Sequence, residues 1–405
     1  MGFHEFSSPY DWSRIADYKK VARQAEGGMI DLSVGSPVDP VPDSVRDALA
    51  AASDAPNAHG YPVTVGTGDL RDAIHEWFLR LRGVDLKAVN AGVVPTVGSK
   101  EAVALMASLL RLGPGDVVVQ PQVSYPTYEI GTQLAGARVL KVADVADVDS
   151  WRHVPGVKAV WVNSPCNPSG EVLSADWLAG IVAAARSIGA VVLSDECYAL
   201  MDWRGASGAG HASVNAASVN AAAGNAAGGS GSFTLSATAC ALNPQVCEGS
   251  ADGVLVLYSL SKQSNMAGYR TALIAGDHRL VSEMAAYRKQ IGQIIAGPVQ
   301  AAMAAGLRDV AAVHEQRERY RSRLESLVAG LSAAGYEARM PQGALYVWVR
   351  ARSGDCWTDM ADLARIGIIA SPGEFYGETA YLRFSSTASD ADIADAVARL
   401  RAHRA

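Results

Sequence analysis

This chain of 405 residues has no basic tract, no CxxC pair and no apolar run near the roughly 18 residues that a membrane helix needs. A net charge of −6 without a basic tract argues against nucleic acid or an anionic membrane surface as a partner. Five cysteines, an odd number without CxxC pairing, suggest neither a zinc site nor a disulfide framework, and suit the reduced thiols of a cytoplasm. The opening MGFHEFSSPYDWSRIADYKK lacks the apolar stretch of a secretory signal and the hydroxyl residue of a myristoylation signal. What is present is ordinary for a globular enzyme: 49% hydrophobic and 19% charged residues, in a length that suits two domains.

Apolar, β-branched runs recur at 117–120, 159–163, 190–195, 254–260 and 272–276, with helical patterns between several of them. In 69–83, DLRDAIHEWFLRLRG, the apolar positions trace one helical stripe that stops at Gly83. A second helix is expected within 177–189. Near-continuous apolar strands alternating with helices predict an α/β fold, a mostly parallel sheet covered on both faces. The last third changes character: a long charged helix around 309–335, strand-like 344–350 and 381–385, and a final helix at 389–403 predict a smaller α+β domain. Residues 205–232 are almost wholly Gly, Ala, Ser, Asn and Val, too polar and small to offset the entropy of ordering, and read as a surface insertion.

The chemistry gathers around Lys262, at the end of the strand-like VLVLYSLS. Alone, such a lysine snorkels to solvent. Once desolvated, it has a depressed pKa and forms Schiff bases with carbonyls. Ser259, Ser261 and Arg270 flank it, and hydroxyls with a guanidinium suit a dianionic phosphate. A cofactor that is both carbonyl and phosphate is pyridoxal 5′-phosphate, whose ring nitrogen needs a carboxylate. Asp195 ends an apolar strand in AVVLSDECY, and Glu196 points to the other side of it.

SLSK with Arg270, 195-DECY-198 and 163-NSPCNPSG-170 occur in the order that resembles the fold-type I pyridoxal-phosphate-dependent aminotransferases, from about Leu32 to the end. The resemblance implies a fold of the aspartate aminotransferase type. Its large domain would span 45–285, with an insertion at about 205–250, and its small domain 1–44 plus 286–405. It implies that Lys262 carries the Schiff base and then moves the proton, that Asp195 pairs with the ring nitrogen, and that Tyr198 and Asn167 bond the ring oxygen. Ser259, Arg270 and the amides of Gly98, Ser99 and Lys100 would hold the phosphate. Physically, Gly98–Lys100 open a helix-like run whose N–H groups attract anions, although Ser99 is equally an ordinary N-cap. Tyr125 would stack on the ring, Arg383 would bind the substrate carboxylate, and Gly35 would lie over the substrate, unless it is a loop glycine needing positive φ. Tyr61 resembles a tyrosine that reaches the neighbouring subunit's phosphate, which implies a homodimer with shared sites. The chain from Asp195 to Lys262 is about twice the family's usual length, an excess that falls in the low-complexity run and the 233–253 segment after it.

Stretches such as 29-MIDLSVGSPVDPVP-42, 242-LNPQVCEGS-250 and 372-PGEFYG-377 resemble the actinobacterial N-succinyldiaminopimelate aminotransferases of lysine biosynthesis. That implies amino transfer between glutamate and N-succinyl-2-amino-6-oxopimelate, both with an acid beyond the α-carboxylate. Arg288, Lys289 and Arg14 are candidates to read that distal acid. The same core residues would also serve an aromatic, aliphatic or kynurenine-type aminotransferase, or a carbon–sulfur β-lyase. A transcriptional regulator on this fold would need a DNA-binding module ahead of it, and the residues before Leu32 contain no recognition helix. A catalytically inert scaffold would be expected to lack Lys262.

Overall fold

The structure, a computed structural model, describes residues 6, 8, 10–205, 212–213 and 235–403; most of the low-complexity insertion lies outside the described residues. Seven strands make the central sheet: β1 (Ala91–Val97), β2 (Val117–Pro121), β3 (Arg138–Val142), β4 (Val157–Asn163), β5 (Val191–Asp195), β6 (Val254–Ser259) and β7 (Thr271–Asp277). Their spatial order is β1-β7-β6-β5-β4-β2-β3. All pairs are parallel except those of β7, which runs antiparallel to both β1 and β6. The pleat explains why the inner strands read as continuous apolar runs. Val119, Val160, Val192, Val256 and Leu273 face one layer of helices, which includes Gly68–Trp77, Ala175–Ser187 and Gly297–Arg308. The intervening Val118, Ala159, Leu193, Leu255 and Ile274 face the other, which includes Ser99–Leu109, Thr127–Leu134 and His278–Ile291.

The two strands that did not read as apolar runs are the sheet's edges. β1 carries Pro95, tolerated because an edge strand has one side free of ladder bonds. β3 exposes Arg138 and Lys141, charges that discourage another strand from adding there. The helical stripe expected at 69–83 forms as Gly68–Trp77, capped by Thr67 Oγ1 accepting from the Leu70 N–H. It continues as a π turn, Phe78–Arg82, and Gly83 ends it in the left-handed conformation, φ 65°.

The smaller unit has an antiparallel sheet of β8 (Tyr346–Arg350), β9 (Ser371–Pro372) and β10 (Tyr381–Ser385), in the order β8-β10-β9. The N-terminal segment joins it, with Ile30–Asp31 pairing parallel to Ile368–Ile369. The chain after the expected boundary at 285–286 packs into both cores. Met303 and Leu307 still pack in the large core, and within the helix Val310–Ala333 the first turns (Val310, Val313) belong to it, whereas Leu324, Leu327 and Leu331 belong to the small core. Within the expected insertion at about 205–250, the described residues from 235 on pack inward. Leu235, Cys240, Leu242, Val246 and Cys247 are buried in the large core. Glu196 anchors this segment by accepting from the Ala241 N–H at 2.8 Å and from buried Arg82 at 2.6 Å. That contact also turns Glu196 away from the side that Asp195 faces.

Candidate active site

Parallel strands bring their carboxyl ends to one edge, where open α/β sheets bind ligands. Asn163, Asp195 and Ser259 end β4, β5 and β6 there. Because β7 runs the other way, its first residues also lie at this edge, and Arg270 immediately precedes it. A cleft of about 360 Å³ opens above, closed on the other side by Tyr346, Tyr376 and Arg383 of the small unit.

Lys262 sits on the short helix Leu260–Gln263 that follows β6, which Ser259 caps by accepting from the Ser261 N–H. Its Nζ donates to the Gly35 carbonyl. Burial, with Arg383 and Arg270 nearby, draws the amine down from 10.5 to about 8. Asp195 is 6% exposed and has no cationic partner among the described residues. It accepts from the Tyr128 hydroxyl at 2.8 Å and the Cys197 N–H at 3.2 Å. Burial nevertheless pushes its carboxyl above the usual range, so the site asks for a positive group to face it.

Ser259 Oγ lies 2.9 Å from Ser261 Oγ, and both hydroxyls line the cleft with Ser99 and Arg270. Gly98 does not line the cleft itself. Its φ of 79° and the Arg270 guanidinium, which occupies the space where a Cβ would stand, explain the glycine. The helix Ser99–Leu109 begins here without a side-chain cap, because the N-cap is Gly98 and not Ser99. Its first N–H groups are therefore open to an anion.

Arg383, 4% exposed, donates to Asn167 Oδ1 and to the Ser33 carbonyl, each at 2.7 Å. Its guanidinium lies over the rings of Tyr346 and Tyr376, 4.0 and 4.7 Å from their centroids. Its Nε has no hydrogen-bond partner among the described residues. Tyr198 shares a 2.7 Å hydrogen bond with the Tyr346 hydroxyl, and burial keeps its phenol protonated far into the alkaline range. Tyr125 also lines the cleft. Gly35 does so without positive φ: a side chain there would meet the Tyr346 hydroxyl, so close approach explains it.

Four further residues lie off the cleft of their own chain. Tyr61 is fully exposed and does not line it. None of the three arginines and lysines named for the distal acid lines it either: Arg288 is buried in a bidentate pair with Glu101, Arg14 pairs with Glu374 over Trp357, and Lys289 is exposed on the helix His278–Ile291. Lys100 does line the cleft, 5.4 Å above the Tyr10 ring. Tyr128, Tyr346, Tyr376, Tyr10 and Trp12 escaped the sequence reading, because lone aromatics in apolar surroundings carry no local signal of a site.

An aldehyde, a phosphate and a protonated ring nitrogen would each find a match along this edge, so fold and site define a protein of pyridoxal-phosphate chemistry. The chain matches aminotransferase class I and II over residues 27–400 and belongs to that family. It is 40% identical over 393 residues, covering 96% of this chain and 98% of the relative, to the 4-dedimethylamino-4-oxo-anhydrotetracycline transaminase OxyQ of Streptomyces rimosus. An LL-diaminopimelate aminotransferase of Moorella thermoacetica is 29% identical, with 97% of this chain and 95% of the relative covered. In fold it is similar to the solved structure of a probable N-succinyldiaminopimelate aminotransferase from Thermus thermophilus, TM-score 0.79 at 22% identity, covering 97% of this chain and 99% of that one. The protein is thus a pyridoxal 5′-phosphate-dependent aminotransferase of the aspartate aminotransferase fold type. Among the described residues no helix is long and apolar enough to cross a membrane.

Proposed function

We propose that the enzyme moves an amino group from N-succinyl-LL-diaminopimelate, an amino acid with a distal acid, to 2-oxoglutarate, giving glutamate and the matching oxo acid, and that Lys262, Asp195 and Arg383 carry the reaction. The observation behind this is their convergence: a near-neutral amine, an uncompensated carboxylate and a buried guanidinium with an unused N–H line one cleft. Lys262 and Asp195 would hold the cofactor's aldehyde and ring nitrogen. Ser99, Lys100, Ser259 and Arg270 would hold its phosphate or flank it, Tyr125 its ring face, and Tyr198 and Asn167 its ring oxygen. When bound, pyridoxal phosphate supplies an electrophile for the amino group and a ring that accepts an electron pair.

The chain's own residues do the rest. An amine titrating at about 8 releases and takes up a proton near neutral pH, as the Cα–H transfer demands. Asp195, ionised opposite a positive ring nitrogen, keeps that nitrogen protonated. Arg383 is pre-set by Asn167 and Ser33 to meet the α-carboxylate with charge-assisted bonds. Lys100 supports the diacid reading. Four cations line the cleft, and with Lys262, Arg270 and Arg383 given to the aldehyde, the phosphate and the α-carboxylate, exposed Lys100 beside the phosphate position would meet a distal acid. The diaminopimelate relative favours the same class. A second reading has its own support: six aromatic side chains, Tyr10, Trp12, Tyr125, Tyr198, Tyr346 and Tyr376, line the cleft, and the tetracycline-pathway relative named above acts on a ring-bearing oxo compound. The reading also makes the chain a homodimer that completes each phosphate site with Tyr61 of the neighbour.

A donor screen with 2-oxoglutarate as acceptor tests the substrate. The expected result is glutamate formation from N-succinyl-LL-diaminopimelate faster than from aromatic or aliphatic amino acids. Turnover of an oxo-anhydrotetracycline acceptor without turnover of the succinylated amine would select the second reading. Lys262→Ala is expected to fold and to lose multiple turnover, and a variant that turns over normally refutes the lysine's role.

A further inference from the structure

A buried polar chain runs behind the cleft and closes on Lys262 from both ends. On the backbone side, the Tyr320 hydroxyl lies 3.2 Å from the Lys262 carbonyl and 3.1 Å from Asn265 Oδ1. Asn265, held at φ 53°, donates to Gln316 Oε1 at 3.0 Å and to the Pro40 carbonyl at 3.1 Å. Gln316 donates to Asp39 at 2.8 Å, and Arg323, 3% exposed, grips both oxygens of that carboxylate at 2.7 Å. The Arg323 Nε goes to Asp390 at 2.6 Å, on the helix Asp390–Ala402. On the other side, the segment that Asp39 ends supplies the Gly35 carbonyl to the Lys262 amine and the Ser33 carbonyl to Arg383. One segment, 33–40, thus touches both the reactive amine and the carboxylate-binding arginine. Its far end is fixed by charge to the helix Val310–Ala333, which carries the chain between the two cores.

We infer that Asp39, gripped by Arg323 and Gln316, is a positioning residue that holds segment 33–40 over Lys262 and Arg383. This rests on the reading that Gly35 lies over the substrate. Arg323 is buried and needs a counter-charge, and a bidentate carboxylate fixes both its distance and its plane. The exposed Asp390 contributes charge without tying anything to the cleft. Tyr320 and Asn265 make the same arrangement rigid from the lysine side, since the turn after Lys262 has a left-handed residue that its hydrogen bonds must hold in place.

The test uses the holoenzyme with its best amino donor. Asp39→Asn loses the charge that Arg323 grips, and is expected to raise the donor's KM about tenfold, with kcat within about twofold. Hydrogen exchange of the amides in 33–40 is expected to quicken at the same time. Asp390→Asn, which breaks only the exposed arm of the same arginine, is expected to leave KM and exchange unchanged. Should Asp39→Asn fail to fold, Tyr320→Phe removes one hydroxyl and is expected to quicken the same exchange and raise KM about threefold. A lowered melting temperature with KM and exchange in 33–40 unmoved overturns the proposal, as does an equal effect of Asp390→Asn. Either result leaves the role of Lys262 intact, because that stands or falls with Lys262→Ala.

Discussion

Lys262 shows how little a single residue declares by itself. Its position after an apolar strand equally describes a surface lysine, and what sets it apart is burial beside Arg383 and Arg270, which draws its amine to about 8. The partners lie far along the chain, so the sequence named them only through the order of its motifs. Arg383 was legible in the same way, but not the Tyr346 and Tyr376 rings beneath it or its unused Nε. The distal-acid candidates do not line the cleft, because exposure and pairing are tertiary facts: Arg288 is wholly buried against Glu101 in the fold. At this scale the sharpest prediction concerns Arg383→Lys. An ammonium keeps the charge but not the planar fork, so kcat/KM for the amino donor is expected to fall about 30- to 150-fold, roughly 2–3 kcal/mol. Steady-state kinetics at fixed 2-oxoglutarate checks it, and a loss under threefold would remove Arg383 from the carboxylate site.

Elements were predicted best where their pattern was strongest. The inner strands, buried on both faces, read as unbroken apolar runs, and the helix at Gly68–Trp77 as a clean stripe. The edge strands β1 and β3 did not, because a proline in one and two charges in the other suit an edge and blur the signal. The segment 59–65 shows what an element can expose without purpose in one chain: Tyr61, Val63 and Val65 stand in solvent. Apolar groups on one exposed segment invite cover by a partner surface. A second copy is the proposed partner, and light scattering of the holoenzyme is expected to give twice the chain mass. Tyr61→Ala is expected to weaken pyridoxal phosphate binding about tenfold by loss of one charge-assisted bond, measured by dialysis, without changing that mass. A monomeric wild type would defeat the shared-site reading.

Across the whole molecule, two cores meet at the cleft, and their ionisable groups give stability a defined pH dependence. Asp39 and Glu374 have carboxyls held below their ordinary 3.8 and 4.5. In each, hydrogen bonds from an arginine, Arg323 or Arg14, help outweigh burial. A depressed acid contributes stability that is present above its unfolded pKa and lost as pH falls through the folded one. The apoprotein is therefore expected to lose melting temperature below about pH 4. Lys262 works in the other direction. With its folded pKa near 8 against 10.5 unfolded, the unfolded chain binds the extra proton between those values, so its contribution to stability rises from pH 8 to 10.5. Melting curves of Lys262→Ala apoprotein are expected to lack that rise; an unchanged profile would deny the amine its burial. By itself the sequence determined the α/β class, the cofactor chemistry and the order of the lysine, carboxylate and arginine motifs, because strand period and residue chemistry are local. Only the tertiary structure decided where the two cores divide, that 235–251 belongs inside rather than to a surface insertion, and which cations face the cleft. Those depend on which surfaces meet across hundreds of residues, and no local pattern encodes that meeting.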